Sequence, residues 1–561
     1  MITEKRFNEL MGRYKTGNLS EKEKEELQPY KVDNAIIMAA GLASRFAPLS
    51  FEKPKGLLNV KGEILIERQI RQLQEVGIDD ITIVVGYMKE LFYYLRSKFN
   101  VELIVNDDYY RYNNTSTLIR VTHKLKNTYI CSSDNYFTSN VFEPYVYKAY
   151  YSAVFMKGET EEWCIETDYD GLIINVSPSG GHDSWAMLGH VFFSKDFSIR
   201  FKEILEKSYE DKETRLNLWE KLYTKNITDL PMYIRKYEDG VIKEFDSLEE
   251  LREFDENYIN NTGSTIFANI RSKLNCEDKD ITNIKTIKEG LTNLSFHFDC
   301  KGRKYIYRHP GAGTEKYINR YSEAFSMEVA KELGLDSTFI FIDRDKGWKI
   351  SEYKENIHTL DYHNIDEVKK ALTLVKRLHD ANIKSKYDFG IWRATLEFFN
   401  KTKSYVGEKL KKNISFYTDY YDLKDKLNKV YLLAESDGIE KRLCHCDCYN
   451  PNFIISPDGE INLTDWEYSG NDDPAQDLGT FICCSDYSYE EAINIFNLYY
   501  GRIPSKEELR HNIAYVAIAS YYWFVWAVFQ NSVGNDVGEY LKLWYKHSHE
   551  YADKALQLYS N

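Results

Sequence analysis

The segment Met38-Ala-Ala-Gly-Leu-Ala-Ser-Arg-Phe-Ala-Pro-Leu49, with Lys53-Pro-Lys-Gly-Leu-Leu58 close behind it, joins an apolar strand to a turn of small residues and two basic side chains. Ala35-Ile-Ile-Met-Ala-Ala-Gly41 reads as a buried strand running into that turn. Small residues at such a turn let backbone N–H groups approach phosphate oxygens, which makes Ala40 and Gly41 candidate contacts. Arg45 and Lys55 supply positive charge where a triphosphate would lie. A Gly-rich turn alone is a weak signal. The turn, the arginine and Lys-Pro-Lys together are a strong one.

The rhythm continues on the C-terminal side. The pattern predicts a helix over 65–76, a strand over 81–85, a helix over 88–99 and a strand over 101–105. Strand and helix in alternation predict an α/β, Rossmann-like domain with a mostly parallel sheet. Cys131-Ser-Ser-Asp-Asn-Tyr136 reads as a further apolar strand that ends on a carboxylate, Asp134. On the N-terminal side, residues 1–32 are charged (Glu-Lys-Glu-Lys-Glu-Glu at 21–26) and predict a solvated helical extension. Residues 256–282 are polar, with Asn260-Asn-Thr-Gly263 among them, and predict a linker behind a first domain at 33–255.

From 283 to 561 the pattern changes to short hairpin strands and then long helices. His445-Cys-Asp-Cys-Tyr-Asn-Pro-Asn452 is followed, across a turn at Pro457-Asp-Gly459, by Leu463-Thr-Asp-Trp-Glu-Tyr468. This His-x-Asp-(x)4-Asn … Asp spacing places Asp447 and Asn452 on one loop and brings Asp465 beside them from the next strand. Asp447 is suited to accept a proton from an alcohol, and Asn452 and Asp465 to hold Mg2+ on a triphosphate. Glu289-Gly-Leu-Thr-Asn-Leu-Ser295 is a turn placed to cover phosphates, Arg308 ends a strand, and Glu323 opens a helix from which it is expected to pair with Arg308, both as part of the nucleotide site. Ile350-Ser-Glu-Tyr353 is a candidate adenine hinge, which makes Tyr353 a nucleotide contact. The arrangement predicts a bilobal, protein-kinase-like α+β domain. After the His445–Asn452 loop, where a protein kinase carries them, neither Asp-Phe-Gly nor Ala-Pro-Glu occurs; the Asp388-Phe-Gly390 of this chain lies upstream of it.

Composition narrows the partners. A net charge of −14 argues against nucleic acid, whose phosphate backbone recruits a basic face. It does not argue against nucleotides, which local Lys/Arg clusters can bind. Nine cysteines, an odd number, and an N-terminus without an apolar signal region predict reduced thiols in a cytoplasmic protein. The uncharged run 513–529 is too short and too aromatic for a membrane span and predicts a buried helix. Nothing in the composition is at odds with a homo-oligomer.

The front motifs resemble the sugar-nucleotidyltransferase superfamily over about 33–255, with Ala43 in place of the second glycine of its loop. Within it the chain looks most like bacterial CTP:phosphocholine cytidylyltransferases. Tyr112-Asn-Asn-Thr-Ser-Thr-Leu118, Cys131–Tyr136, Glu161-Glu-Trp163, Leu218-Trp219-Glu220 and Lys243-Glu-Phe-Asp-Ser-Leu248 carry that likeness. It implies a base contact at Asn114, Mg2+ ligands at Asp134 and Asp246, and a phosphocholine site at Trp163, Trp219 and Glu220. Core packing is the competing reading of each tryptophan. The back half resembles choline/ethanolamine kinases through Arg308-His-Pro-Gly-Ala-Gly-Thr-Glu-Lys-Tyr-Ile-Asn-Arg320, Asp465-Trp-Glu-Tyr468 and Tyr521-Tyr-Trp-Phe-Val-Trp526. Trp523 and Trp526 lie three apart on one helix face and, with Glu467, are candidates for a choline box.

Together the likenesses imply one enzyme that makes phosphocholine from choline and ATP and then CDP-choline from phosphocholine and CTP, with Mg2+ at both sites. Three rivals stand beside it. The first exchanges choline for ethanolamine or another amino alcohol; the second is a sugar or aminoglycoside phosphotransferase fused to a sugar nucleotidyltransferase; the third is a degenerate regulatory or binding protein. Intact Asp134, Lys55, Asp447, Asn452 and Asp465 speak against the last.

Overall fold

The computed structural model describes residues 2–43, 46–287, 294–310, 318–404, 417, 419–532 and 537–560. The chain divides into two compact units, Met1–Thr286 and Ile287–Asn561.

In the first unit the strands Asn34–Ala39, Ile81–Val85, Glu102–Val105 and Thr128–Ser132 run parallel. Their order across the sheet is Glu102–Val105, Ile81–Val85, Asn34–Ala39, Thr128–Ser132, after which Gly181–Phe193 joins antiparallel. Both faces of these strands are buried, because alternate side chains feed two cores. Ile37, Ile83 and Tyr129 enter one; Ile36, Val84 and Ile130 enter the other. The chain leaves Asn34–Ala39 in one direction and returns to its opposite side with Thr128–Ser132, so the strand order reverses between them. A crevice opens at the carboxyl ends of strands at such a reversal.

Residues 1–32 are helical as expected but docked rather than solvated. The helices Glu4–Lys15 and Glu21–Leu27, with the short turn Gln28–Tyr30 behind them, bury Phe7, Leu10, Leu27 and Tyr30 against Tyr145 and Tyr147. A Ser20/Glu23 capping box starts the second helix. The expected linker 256–282 is folded too. Ser264 caps the helix Thr265–Leu274, whose Ile266, Phe267 and Ile270 are buried at helical spacing. Glu52 accepts the Thr265 N–H (2.8 Å), Tyr258 donates to the Asn59 carbonyl (2.6 Å), and buried Asp278 accepts from Thr262 (2.8 Å). Polar composition misled here because the polar groups bond inward.

The second unit opens with antiparallel strands, Arg303–His309 lying between Leu294–Cys300 and Lys349–Glu352, with Phe339–Ile342 beyond. The helix Arg320–Glu332 follows this first lobe's hairpin. The second lobe is helical, interrupted by the hairpin Phe453–Ile455/Ile461–Leu463. Its central helix Lys506–Ser532 is long and apolar enough to cross a membrane, yet Ile513–Val525 are buried in the core of the unit. An all-round apolar helix fits such a central position.

Candidate active sites

A cavity of about 670 Å3 occupies the crevice of the first unit. Ala40 and Gly41 line it from the end of one strand, Ser132 and Asp134 from the end of the next. Lys55 stands on a single tight turn, Lys55–Leu57, and is buried. A side chain at Gly56 would meet Ser133 at 2.9 Å, so the residue after Lys55 must be small for the turn to seat against the Asp134 loop. Lys55 Nζ lies 2.8 Å from Asp134 Oδ2 and 3.8 Å from Asp246 Oδ1. Ser132 Oγ donates to Asp134 Oδ1 at 2.6 Å.

A third carboxylate belongs to this group. The strand Ile242–Glu244 pairs antiparallel with Asn135–Phe137, setting Glu244 opposite Asn135, whose Nδ2 donates to Glu244 Oε2 at 3.0 Å. Burial, then the charges of Asp134 and Asp246, push Glu244 up to about 8. Burial would also raise Asp134, but Lys55 and Ser132 outweigh it and hold Asp134 below the usual carboxylate range. Burial would lower Lys55, and the surrounding carboxylates reverse that. Three carboxylates around one ammonium leave a hard, oxygen-lined negative centre of the kind a divalent cation fills. The sequence signal for Glu244 was present: Glu244-Phe-Asp246 alternates along an extended chain, so both carboxylates face one side.

The other front predictions are placed unevenly. Arg45 lies outside the described residues. Asn114 lines the cavity and also starts the helix Trp219–Lys225: its Oδ1 accepts the Trp219 N–H (2.7 Å) and its Nδ2 donates to Glu220 (3.2 Å). Trp219 is a correction. It is fully buried, stacked on Tyr151 at 6.0 Å with Phe193 and Phe201 at its edges, so it has no face for a ligand. Trp163 is half-buried against the same core and is not among the residues lining the cavity. Burial pushes Glu220 up to about 7, and the Tyr151 hydroxyl reaches it at 3.4 Å.

In the second unit the loop after the strand Arg442–Cys444 is pinned from behind. The Asp477 carboxylate accepts the N–H groups of His445 (2.9 Å) and Cys446 (2.7 Å) and bonds the His379 ring (3.0 Å). The His445 ring bridges two segments: Nδ1 accepts the Asp447 N–H (3.2 Å), and Nε2 donates to the Thr464 carbonyl (2.9 Å). That pairing fixes a neutral Nε2–H tautomer, and burial lowers the ring's pKa. Asn452 Nδ2 donates to the Asp447 carbonyl (2.8 Å) and to its Oδ2 (3.0 Å). Asp465 sits at φ 63°, a left-handed conformation uncommon outside glycine, with its carboxylate 2.7 Å from Arg308 Nη1. The expected grouping of Asp447, Asn452 and Asp465 is therefore present in one place.

The expected Arg308–Glu323 pair is a correction. Arg308 pairs with Asp465 and with Glu467 (3.1 Å), while Glu323 is held by Lys349 (2.9 Å) and Arg320 (2.8 Å). The reason is register: Arg308 and Lys349 are opposite each other on neighbouring strands, and the forked guanidinium spans the two carboxylates of the Asp-Trp-Glu segment. Burial and the Asp465 charge raise Asp447 well above the usual range. Burial would raise Asp465 too, but Arg308 and Lys349 hold it far below. Burial and Asp465 push Glu467 up to about 7.

Tyr353 donates its N–H to the Lys304 carbonyl (2.9 Å) and stacks its ring on His297 (4.8 Å). Of the phosphate-covering turn, residues 289–293 lie outside the described residues. Glu467 and Trp526 line a cavity of about 310 Å3 with Phe398, Tyr468 and Tyr522. Trp523 is not among its lining residues; buried, it packs behind Trp526 at 5.5 Å, against Tyr468 and Trp544.

The first site is that of a nucleotidyltransferase at the reversal point of a parallel sheet, and the second that of a kinase-like phosphotransferase. Residues 35–151 match the family described as MobA-like NTP transferase domain, and residues 284–520 match Choline/ethanolamine kinase. The choline-phosphate cytidylyltransferase of Streptococcus pneumoniae is 35% identical over 224 residues, 40% of this chain and 96% of that protein. The 2-aminoethylphosphonate cytidylyltransferase of Lancefieldella rimae is 34% identical over 230 residues, 40% of this chain and 93% of that protein. The structure of the choline kinase LicA from Streptococcus pneumoniae is 25% identical, covers 52% of this chain and 98% of its own, and superposes with a TM-score of 0.43. The chain belongs, through its front half, to the family of choline-phosphate cytidylyltransferases, and its back half is a choline-kinase-like domain.

Proposed function

We propose that this chain phosphorylates choline with ATP and transfers CMP from CTP to the phosphocholine formed, giving CDP-choline and pyrophosphate. The observation that carries the reading is the pairing of two sites with complementary chemistry. One has a buried base, Asp447, able to deprotonate an alcohol; the other has no such need and concentrates charge around Lys55. The kinase-like half also separates phosphocholine from 2-aminoethylphosphonate as the front acceptor, since a phosphotransferase makes phosphate esters and not phosphonates. A cytoplasmic location fits the nine free thiols.

In the back half, Asp447 accepts the hydroxyl proton as the choline oxygen attacks the γ-phosphorus of ATP and ADP leaves. Burial beside Asp465 makes it a stronger base than an exposed carboxylate. Arg308 steadies Asp465 and Glu467, and Asn452 fixes the Asp447 rotamer. In the front half a phosphate oxygen of phosphocholine, already anionic, attacks the α-phosphorus of CTP and pyrophosphate leaves. Alignment and charge neutralisation do the catalysis there. Ala40, Gly41 and Lys55 hold phosphates, and Asn114 faces the base. Asp134, Glu244 and Asp246 in front, and Asn452 and Asp465 behind, fit Mg2+, which when bound supplies charge neutralisation on the triphosphate.

The test is a coupled assay of the full chain with ATP, CTP and Mg2+, given choline, ethanolamine or no acceptor. CDP-choline and pyrophosphate are expected with choline. A preference for ethanolamine, or CTP consumption only with a phosphonate, would overturn the choline reading.

A further inference from the structure

The kinase-like site contains a cation that the mechanism above does not use. Lys349 begins the strand Lys349–Glu352 and is buried, 7% exposed. Its ammonium lies 2.9 Å from Glu323 Oε1 and 3.8 Å from Asp465 Oδ1. Glu323, 1% exposed on the helix Arg320–Glu332, is bonded from its other oxygen by Arg320 Nη1 at 2.8 Å. A lysine so deep loses most of its hydration, and neighbouring groups must replace the water. Here the two replacements are a carboxylate fixed on a helix and the carboxylate offered to the metal.

Arg308, directly across the sheet from Lys349, is occupied by Asp465 and Glu467. The role usually given to one strand lysine in a kinase fold, joining the helix glutamate to the phosphate site, is thus divided between two cations. Arg308 braces the Asp-Trp-Glu segment, and Lys349 connects that segment to the helix.

We infer that Lys349 is a positioning residue for phosphoryl transfer: locked by Glu323, it holds the Asp465 carboxylate in register with Asp447. This rests on the reading of the back half as a choline kinase. If Glu323 acts only by locking Lys349, the two residues form one device. Their substitutions then must not multiply, since effects of residues in one contact network are non-additive.

The experiment uses the full chain with Lys349→Met, Lys349→Arg, Glu323→Gln and the Lys349→Met/Glu323→Gln double variant. Choline phosphorylation gives kcat and both KM values, and CDP-choline formation from supplied phosphocholine checks that the front half is intact. Lys349→Met is expected to lower kcat by about 10- to 100-fold with choline KM within about twofold. Lys349→Arg should recover at least about fivefold of that loss, and the double variant should be no slower than Lys349→Met. A Lys349→Met enzyme within about threefold of wild type overturns the inference. So does a double variant whose loss is the product of the singles, or a Lys349→Arg enzyme as slow as Lys349→Met. If the wild type releases no ADP with choline, the kinase reading itself falls and takes this inference with it. Normal wild-type turnover with an unaffected Lys349→Met strikes the inference alone.

Discussion

The two sites meet the same problem, a polyphosphate in a partly buried crevice, with different numbers of cations. In front, among the described residues, one lysine stands among three carboxylates, and burial together with the charges of Asp134 and Asp246 pushes Glu244 up to about 8. Behind, Arg308 and Lys349 flank Asp465 and hold it far below the usual range. The contrast follows the nucleophile. Phosphocholine arrives with its attacking oxygen already ionised, so the front site needs only to lower charge repulsion. Choline arrives as an alcohol, so the back site keeps one carboxylate, Asp447, raised and basic, and ties down its neighbour with cations.

The strongest way to break this contrast is Asp447→Ala. Loss of a positioned base is worth about 10^2- to 10^4-fold. Choline phosphorylation should fall by that factor while nucleotide binding persists and CDP-choline formation from supplied phosphocholine is unchanged. Turnover near wild type would remove the base from the mechanism and with it the distinction between the halves.

Lys55→Ala is the counterpart in front. Removing one preorganised charge from a developing anion costs about 10^2- to 10^3-fold in kcat. CDP-choline formation should fall by that amount and choline phosphorylation should not. Loss of both activities in a folded variant would point to one composite site.

Glu244 sharpens the contrast through pH. Its folded pKa, about 8, is raised above the ordinary carboxylate value. The cation-free front unit is therefore favoured at low pH and loses stability as pH rises from the ordinary value through about 8, where a buried negative charge forms. A divalent cation binds the ionised form, so the Mg2+ concentration needed for half-maximal CDP-choline formation should fall between pH 7 and 9, by at most about tenfold per pH unit. Glu244→Gln should flatten that dependence. The same slope in the variant would assign it to another group.

What the sequence revealed depended on whether a local motif or strand register brings the partners together. Asp447, Asn452 and Asp465 lie within one loop and one hairpin, so their spacing alone assembled them. The parallel strands were legible because both faces are apolar, as at Ile36 and Ile37, which enter different cores. Partners fixed by strand register were not. Glu323 sits on a helix and Lys349 on a strand, and only the pairing of Arg308 with Lys349 across two strands decides which cation reaches which carboxylate. Tryptophans were ambiguous for another reason: an indole serves a core or a cation box equally well, and the burial of Trp219 is set by Phe193 and Phe201 from other elements.

The smallest expected effect concerns that ambiguity in the back half. Trimethylammonium has no N–H to donate, so its recognition relies on aromatic faces and nearby carboxylates. Trp526 and Glu467 share a cavity with Tyr468 and Tyr522, whereas Trp523 is packed behind them. A good cation–π contact is worth about 0.5–2 kcal/mol, so Trp526→Ala should raise the choline KM by about 2- to 30-fold. kcat and the ATP KM should move little, and Trp526→Phe should recover part of the loss. Trp523→Ala empties a core position instead, where truncating an aromatic costs about 3–5 kcal/mol of stability. It should show first as a lower Tm and only then as lost activity. If Trp526→Ala weakens ethanolamine as much as choline, the indole is merely a wall of the cavity and the back half discriminates its amine by charge. If Trp523→Ala instead leaves Tm unchanged and raises the choline KM, the cation box lies on the other side of this helix, and the two tryptophans exchange roles.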